Sequence, residues 1–233
     1  MKILAKLTAV ETKLLVREPG AAFTLLIPLF ILVVFGGEIT EGDAVLLPMA
    51  VTIAIGLVGL YLLPTTLATY RERGILRRLS VTPVRPGNLL TVQLLLQLVL
   101  TAAAVALLLF VGIGVLGAHA PGPAGFLAAS ALGTAAMFSV GLLIAALASN
   151  GRSANGFGVL LYFPLAYLGG LMQPADRMPD ILASIGRYTP MGALRQSLHG
   201  VWSGGVLAPL PLVTMAVYAV VLSFVAARYF RWE

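Results

Sequence analysis

Apolar and polar residues fall along this chain in long blocks, not in short alternations. Residues 21–37 form a run of 17 without charge, about 26 Å long as a helix and so just able to cross a bilayer's hydrocarbon layer. Glu38, Glu41 and Asp43 close it. Residues 44–69 make a second uncharged run, long enough to cross with tilt. A strongly basic stretch, 70–88, follows. From Pro86 to Gly151 there is no Asp, Glu, Lys or Arg. That run is too long for one helix and fits two, at 89–116 and 126–149, divided where Gly117, Pro121, Gly122, Pro123 and Gly125 gather. Arg152 marks the next turn, 154–172 gives a fifth apolar segment, and 206–227 a sixth before the tail RYFRWE.

The pattern therefore predicts an all-α polytopic membrane protein with six transmembrane helices, 1–233 forming a single membrane domain. Composition agrees: 59% of the 233 residues are hydrophobic and 10% charged, against about 25% charged in an ordinary soluble domain. A soluble fold of this size could not hide that much apolar surface. Cysteine is absent, which removes disulfides, thiolate metal sites and thiol nucleophiles.

The basic excess, with a sequence pI near 10.0, suggests nucleic acid until the charges are placed. Lys2, Lys6, Lys13 and Arg17, then Arg71, Arg73, Arg77, Arg78 and Arg85, then Arg152, then Arg228 and Arg231 all fall on one side of a six-span topology. Only Arg177, Arg187 and Arg195 fall on the other, where Glu38, Glu41, Asp43, Asp176 and Asp180 also lie. This is the positive-inside pattern, which places both termini in the cytoplasm and leaves no nucleic-acid footprint. Arg outnumbers Lys and Ala and Gly are abundant, as in a GC-rich bacterial genome, so the expected location is the cytoplasmic (inner) membrane of a prokaryote.

The first apolar run starts too late, runs too long and lacks a small-x-small site, so the N-terminus is not read as a cleaved signal. Within 1–20, Ile3, Leu7, Val10 and Leu14 recur at helical spacing, with Lys6, Lys13 and Arg17 along one edge. This fits an interfacial amphipathic helix on lipid, or more simply a basic orientation signal. Glu11 sits close to the apolar sector and breaks the pattern. Pro19 and Gly20 end the helix.

No predicted span carries a carboxylate, Lys or Arg, which argues against an ion-coupled carrier. His119 and His199 fall in predicted outer connections and are too few for a metal cluster. An intramembrane hydrolase would need a serine facing one of them, and none is offered. There is no G-x-x-x-x-G-K-[ST] and all three lysines precede residue 14, so no phosphate-cradling loop of that type exists. Uphill transport would need energy from a partner.

The segment 70–88 reads YRERGILRRLSVTPVRPGN. Glu72 near the start and Arg77–Arg78 near the end suit a short helix's dipole. Ile75, Leu76 and Leu79 make an apolar edge, Arg73 and Arg77 are neighbours, and Pro83 ends the element by biasing Thr82 away from helix. Gly74 and the prolines act as joints. The same residues also fit a basic stop-transfer cluster that binds anionic lipid. In 173–205, Met178, Ile181, Leu182 and Ile185 form one helical stripe and Leu194, Leu198, Val201 and Trp202 another, separated by Pro190 and Gly192. Two short amphipathic helices there fit a re-entrant or surface-lying hairpin, or an exposed loop with a Trp anchor. Within the spans, Ala50 and Ala54, and Ala131, Ala135 and Ser139, stand at the four-residue spacing of close helix packing. Gln93 and Gln97 share a face of span three and suit either interhelical hydrogen bonds or a substrate pathway.

E-R-G-I-L-R-R-L-S-V-T-P directly after the second span resembles the E-x-x-G-x-L-x-x-L-x-x-T-P pattern of ABC transporter permeases of the type-2 exporter class. R-E-P-G before a run containing Pro28, F-P-L-A-Y-L-G-G-L-M-Q-P-A-D-R-M-P in and beyond span five, and Y-T-P-M-G-A-L-R before span six agree with it, so the resemblance covers the whole chain. It implies a permease subunit exporting drugs, lipids, polysaccharides or related amphiphiles, built as a homodimer with two cytoplasmic ATP-binding subunits that hold ATP and Mg. This chain would bind no cofactor and hydrolyse nothing itself. It further implies that 70–88 carries a coupling helix that includes Arg77, with Glu72 and Arg73 in polar contact with the ATPase. Gly74 would allow close approach, Ile75, Leu76 and Leu79 would anchor, and Thr82–Pro83 would close the element. The outer hairpin would be re-entrant. The runner-up is a non-transporting scaffold or sensor docking a soluble partner through the same loop.

Overall fold

In a computed structural model the described residues are 2–36, 45–75, 86–173, 177–205 and 207–229. They form helices joined by turns, with no strand among them. We number the helices in chain order. α1 is Lys2–Val16 and α2 is Pro19–Phe35. α3 is Leu46–Glu72, with a π-helical turn at Val58–Leu62. α4 is Pro86–Leu109, continued by a π-helical segment Phe110–Val115. α5 is Pro123–Leu147, α6 Gly151–Leu168, α7 Asp180–Arg187, α8 Pro190–Trp202 and α9 Pro209–Tyr229. α2, α4, α5, α8 and α9 all open on proline, whose missing N–H falls where a helix has no acceptor for it.

Among the described residues, four helices are long and apolar enough to span a membrane: α3, α4 (as Gly87–Val115), α5 and α9. Counting the bent pair α1–α2, which turns by 59° between Leu15 and Pro19, makes five; Pro19 and Gly20 thus open α2 and do not end α1 as the sequence suggests. The sequence pattern had suggested six. α6 opens on polar residues, Arg152, Ser153 and Asn155, that lower its hydropathy, and Gly170, at φ 75°, turns the chain before 172. The long uncharged run does divide between α4 and α5. Gly117 adopts φ 73°, a conformation open to glycine, and the Ala118 N–H reaches back to the Gly112 carbonyl at 2.8 Å.

α3 is the central helix. Its most apolar window is 78% buried, against 33% in α4 and 22% in α9. Around it pack α2, α4, α5, α6 and α8. Leu47, Ile55, Leu60, Leu62 and Leu63 are wholly enclosed. The π-helical turn lies mid-helix, and there two neighbours approach the backbone itself. A Cβ on Gly141 of α5 would stand 2.0 Å from the Gly59 carbonyl oxygen, and one on Gly158 of α6 would stand 2.2 Å from that of Leu60. Only glycine allows contacts this close. Large apolar side chains such as Phe30, Val99, Leu160, Val220 and Phe224 face outward from α2, α4, α6 and α9, the pattern of helices that meet lipid.

α8 inserts beside this core, packing on α3, α5 and α9. Thr189 caps it, its Oγ1 accepting from the Gly192 N–H at 3.1 Å and donating to the Gly186 carbonyl at 2.8 Å. The predicted stripe Leu194, Leu198, Val201 and Trp202 is buried. Trp202 meets Phe126 edge-to-face at 5.4 Å, and its Nε1–H donates to the His119 carbonyl at 3.0 Å. The indole is thus a core group tying α8 to the α4–α5 turn, not an exposed anchor. The companion stripe divides: Met178, just before α7, is buried, whereas Ile181 and Ile185 on α7 are exposed. The small-residue expectation also divides. Ala50 and Ala54 are fully buried, but Ala131 and Ala135 face outward, because α5 packs through Ala129, Gly133, Met137 and Gly141. Ser139 still serves packing, donating to the Tyr218 carbonyl of α9 at 3.0 Å.

Gly141→Ala and Gly158→Ala should each destabilise the protein by about 1–3 kcal/mol, the usual effect of forcing atoms into a packed contact. Gly156→Ala, two residues from Gly158 but with open space at its Cα, should be neutral or slightly stabilising. Thermal unfolding in detergent compares the three; equal melting temperatures would refute the close-approach argument.

Candidate functional site

The predicted coupling segment begins differently from its sequence reading. Glu72 does not start a separate helix but forms the last turn of α3. Arg73 bonds back to the Thr69 carbonyl and Gly74 to that of Arg71, and Gly74 then takes φ 65°. The glycine is therefore required by its backbone conformation, with nothing within 4 Å of the Cβ it lacks. Arg73 is exposed, and Gly74 and Ile75 are half-buried. Leu76, Arg77, Leu79, Thr82 and Pro83 lie outside the described residues.

Glu72 has an intramolecular partner. Its Oε2 accepts from the Gly151 N–H at 3.0 Å, placing a carboxylate at the N-terminus of α6, where free N–H groups and the helix dipole favour negative charge. That N-terminus is capped a second time. Asn150 Oδ1 accepts from the Ser153 N–H at 2.8 Å, and Ser153 Oγ accepts from the Asn150 N–H at 3.1 Å. Gly151 makes room, since a Cβ there would stand 2.2 Å from Thr69 Oγ1. The Arg71 guanidinium also reaches the Ala146 carbonyl at the end of α5, at 3.4 Å. The end of α3 is thus fastened to the α5–α6 turn by two neighbouring residues, Arg71 and Glu72.

One turn further in, α1, α3 and α4 meet at a polar junction. The Glu11 carboxylate, 6% exposed, accepts through Oε2 from both the Tyr70 hydroxyl and the Gln93 amide. Gln93 Nε2 also donates to the Tyr70 hydroxyl at 3.0 Å. Of the two readings for Gln93, interhelical hydrogen bonding is what the geometry realises. Gln97, one turn on, is fully buried, and neither its Oε1 nor its Nε2 has a partner. Sequence reasoning passed over Glu11, although the signal was there: it is the residue that spoils the amphipathic stripe of α1. Val10 and Leu14, members of that stripe, point outward from the chain while Glu11 turns in.

On the opposite flank of α3 lies an apolar groove of about 440 Å³ between α2 and α6. Phe23, Ile27, Ile53, Tyr61, Tyr162 and Phe163 form much of its wall, and no charged side chain lines it. Its size falls within the usual range for small-molecule sites. Among the described residues no group of His, Asp or Glu is arranged to hold a metal ion. His119 is exposed and contributes only its main-chain carbonyl to Trp202.

The profile of the ABC-2 type transporter family matches residues 6–201, from α1 through nearly all of α8. The chain belongs to that family. Comparison with curated proteins gives no match. An ABC-2 membrane domain is a transport permease component and not itself an ATPase, and ABC-2 permeases normally work with an ATP-binding subunit. The apolar helices and the family together make this ABC-2 chain a multi-pass membrane protein.

Glu72→Ala removes the acceptor at Gly151 and should lower stability by about 0.5–1 kcal/mol, as loss of an exposed helix cap does. Glu72→Gln retains an oxygen acceptor and should lose less than half as much. Thermal unfolding of the purified permease measures both, and identical behaviour of Ala and Gln would remove the cap from the stability of the fold.

Proposed function

We propose that this permease belongs to an ATP-driven exporter of amphipathic or hydrophobic cargo, whether drug, lipid or glycan-lipid. The observation that carries this reading is the uncharged groove of α2, α3 and α6. Apolar walls with isolated hydroxyls stabilise a hydrocarbon-bearing molecule and give a small ion nothing to replace its hydration. α2 and α6 would complete six spans: at 17 and 18 residues they are about 26–27 Å long, close to the hydrocarbon thickness. An even span number with the basic residues inside puts both termini in the cytoplasm of a prokaryotic cell, beneath the inner membrane. α1 would then lie on the inner leaflet, with Val10 and Leu14 toward lipid and Lys13 and Arg17 near phosphates. The α7–α8 hairpin would re-enter from the outer side.

Energy would come from two ATP-binding subunits carrying ATP and Mg, attached to a homodimer of this chain through Glu72 to Pro83. Glu72 and Arg73 stand at the root of that segment, and Arg71 and Glu72 fasten it to the end of α5 and the start of α6, so a pull there is passed to α5 and α6 as well as α3. Gln97, a buried amide without a partner, is a candidate pathway residue, since such a group is unfavourable by about 1–3 kcal/mol unless something bonds it in another state.

The cognate complex, reconstituted in liposomes, should show ATP hydrolysis stimulated by lipids, glycolipids or hydrophobic drugs. Stimulation by small hydrophilic ions alone would refute the cargo class. Leu76→Asp should abolish co-purification with the ATP-binding subunit while the permease still folds; unchanged assembly and stimulation would refute the coupling role. Leu76 is the better probe, because Glu72→Ala also removes the cap at Gly151.

A further inference from the structure

A buried carboxylate is an unexpected way to dock a helix. Desolvating it is costly, and an apolar residue or a glutamine would hold α1 with a smaller penalty. Only three predicted-inside acids besides Glu72 occur in the chain, at 11, 18 and 233, and among the described ones Glu11 is turned inward at 6% exposure. Both of its donors are uncharged, and they come from two different helices, Tyr70 from α3 and Gln93 from α4. They converge on a single oxygen and also bond each other. The arrangement is fully satisfied only while the two donors stay within hydrogen-bond reach of that oxygen. Separation of α3 from α4 by roughly 1 Å would strip the buried carboxylate of a donor. Apolar contacts, by contrast, tolerate sliding. Position matters too: Tyr70 and Gln93 stand at the facing ends of α3 and α4, either side of the connection between them.

We propose that Glu11 is a positioning residue for transport: it locks α1 to the facing ends of α3 and α4, so that the three helices move as one unit. The function follows from the coupling reading above, on which it rests: a displacement delivered to the α3–α4 connection then moves both helices together instead of spreading them. α1 becomes the strut of that unit, and the shared acceptor oxygen the feature that makes its docking all-or-none, since a donor pulled away from it would be left unsatisfied in a buried site.

The chain lacks cysteine, so spin labels can be placed at Thr12→Cys on α1 and Thr91→Cys on α4, both exposed positions. Pulsed electron resonance of the full chain, diluted with unlabelled permease in phosphatidylethanolamine–phosphatidylglycerol vesicles, reads their separation. One narrow distance is expected, unchanged between the nucleotide-free complex and the complex trapped with ATP and vanadate. Glu11→Ala should at least double the width of the distribution and reduce permease-stimulated ATP turnover about fivefold or more, an effect equal to about 1 kcal/mol. Glu11→Gln, which keeps an oxygen acceptor, should restore most of both; a purely structural contribution would lower protein yield without moving the turnover of the assembled complex. Should Glu11→Ala fail to fold, Tyr70→Phe removes one hydroxyl and should broaden the distribution by itself. A Thr12–Thr91 distance that shifts on trapping in the unaltered protein, or a distribution untouched by Glu11→Ala and Tyr70→Phe, overturns the proposal. Failure of the unaltered permease to assemble with any ATP-binding subunit would instead sink the coupling reading, while the distance in the permease alone still judges the docking of α1.

Discussion

The arrangement of helices depends on how closely two of them approach the backbone of α3. In the middle of this most buried helix a π-helical turn interrupts the regular ladder, and the carbonyls of Gly59 and Leu60 meet Gly141 and Gly158 where any side chain would collide. Apolar spans in lipid gain little by hiding hydrocarbon from hydrocarbon, so packing and close polar approach decide which faces meet. Once α5 and α6 are seated on α3, α8 has one place left: Leu194 covers Gly133, and Met191 covers Gly56. Trp202 then closes the far end against Phe126 and His119.

Directional contacts gather at the end of the bundle that carries α1. There the end of α3 is tied to the α5–α6 turn through Glu72 and Arg71, and to α1 and α4 through Tyr70. Elsewhere, among the described residues, polar contacts between elements are fewer: Ser139 with Tyr218, Trp202 with His119 and Arg195 with Gly169. The body of the permease is thus held by shape, and its α1 end by hydrogen bonds whose lengths cannot change much.

The groove beside α2 and the unpartnered amide of Gln97 lie on different sides of α3's neighbours, one in the apolar wall and the other deep in α4. Their chemistry differs correspondingly. The groove offers dispersion and shape to a cargo, whereas Gln97 offers a donor and an acceptor that the present conformation leaves unused.

Helical class, membrane character, the split of the long apolar run at Gly117 and the family were all legible in the residues. Each depends on local properties: uncharged length, turn chemistry, or a motif contiguous in sequence. The buried stripe of α8 was legible for the same reason, since 3.6-residue periodicity survives whatever the helix packs against. The face of α5 was not. A uniformly apolar helix has no preferred side, so Ala131 and Gly133 are equivalent until a partner arrives. Glu72 and Glu11 show the same limit for charge. The sequence alone placed each on a helix near basic residues, but only the folded chain brought Gly151, Tyr70 and Gln93 to them from 79, 59 and 82 residues away. Periodicity within a helix is a property of its own residues, whereas a hydrogen bond between distant helices exists only after packing has set their spacing.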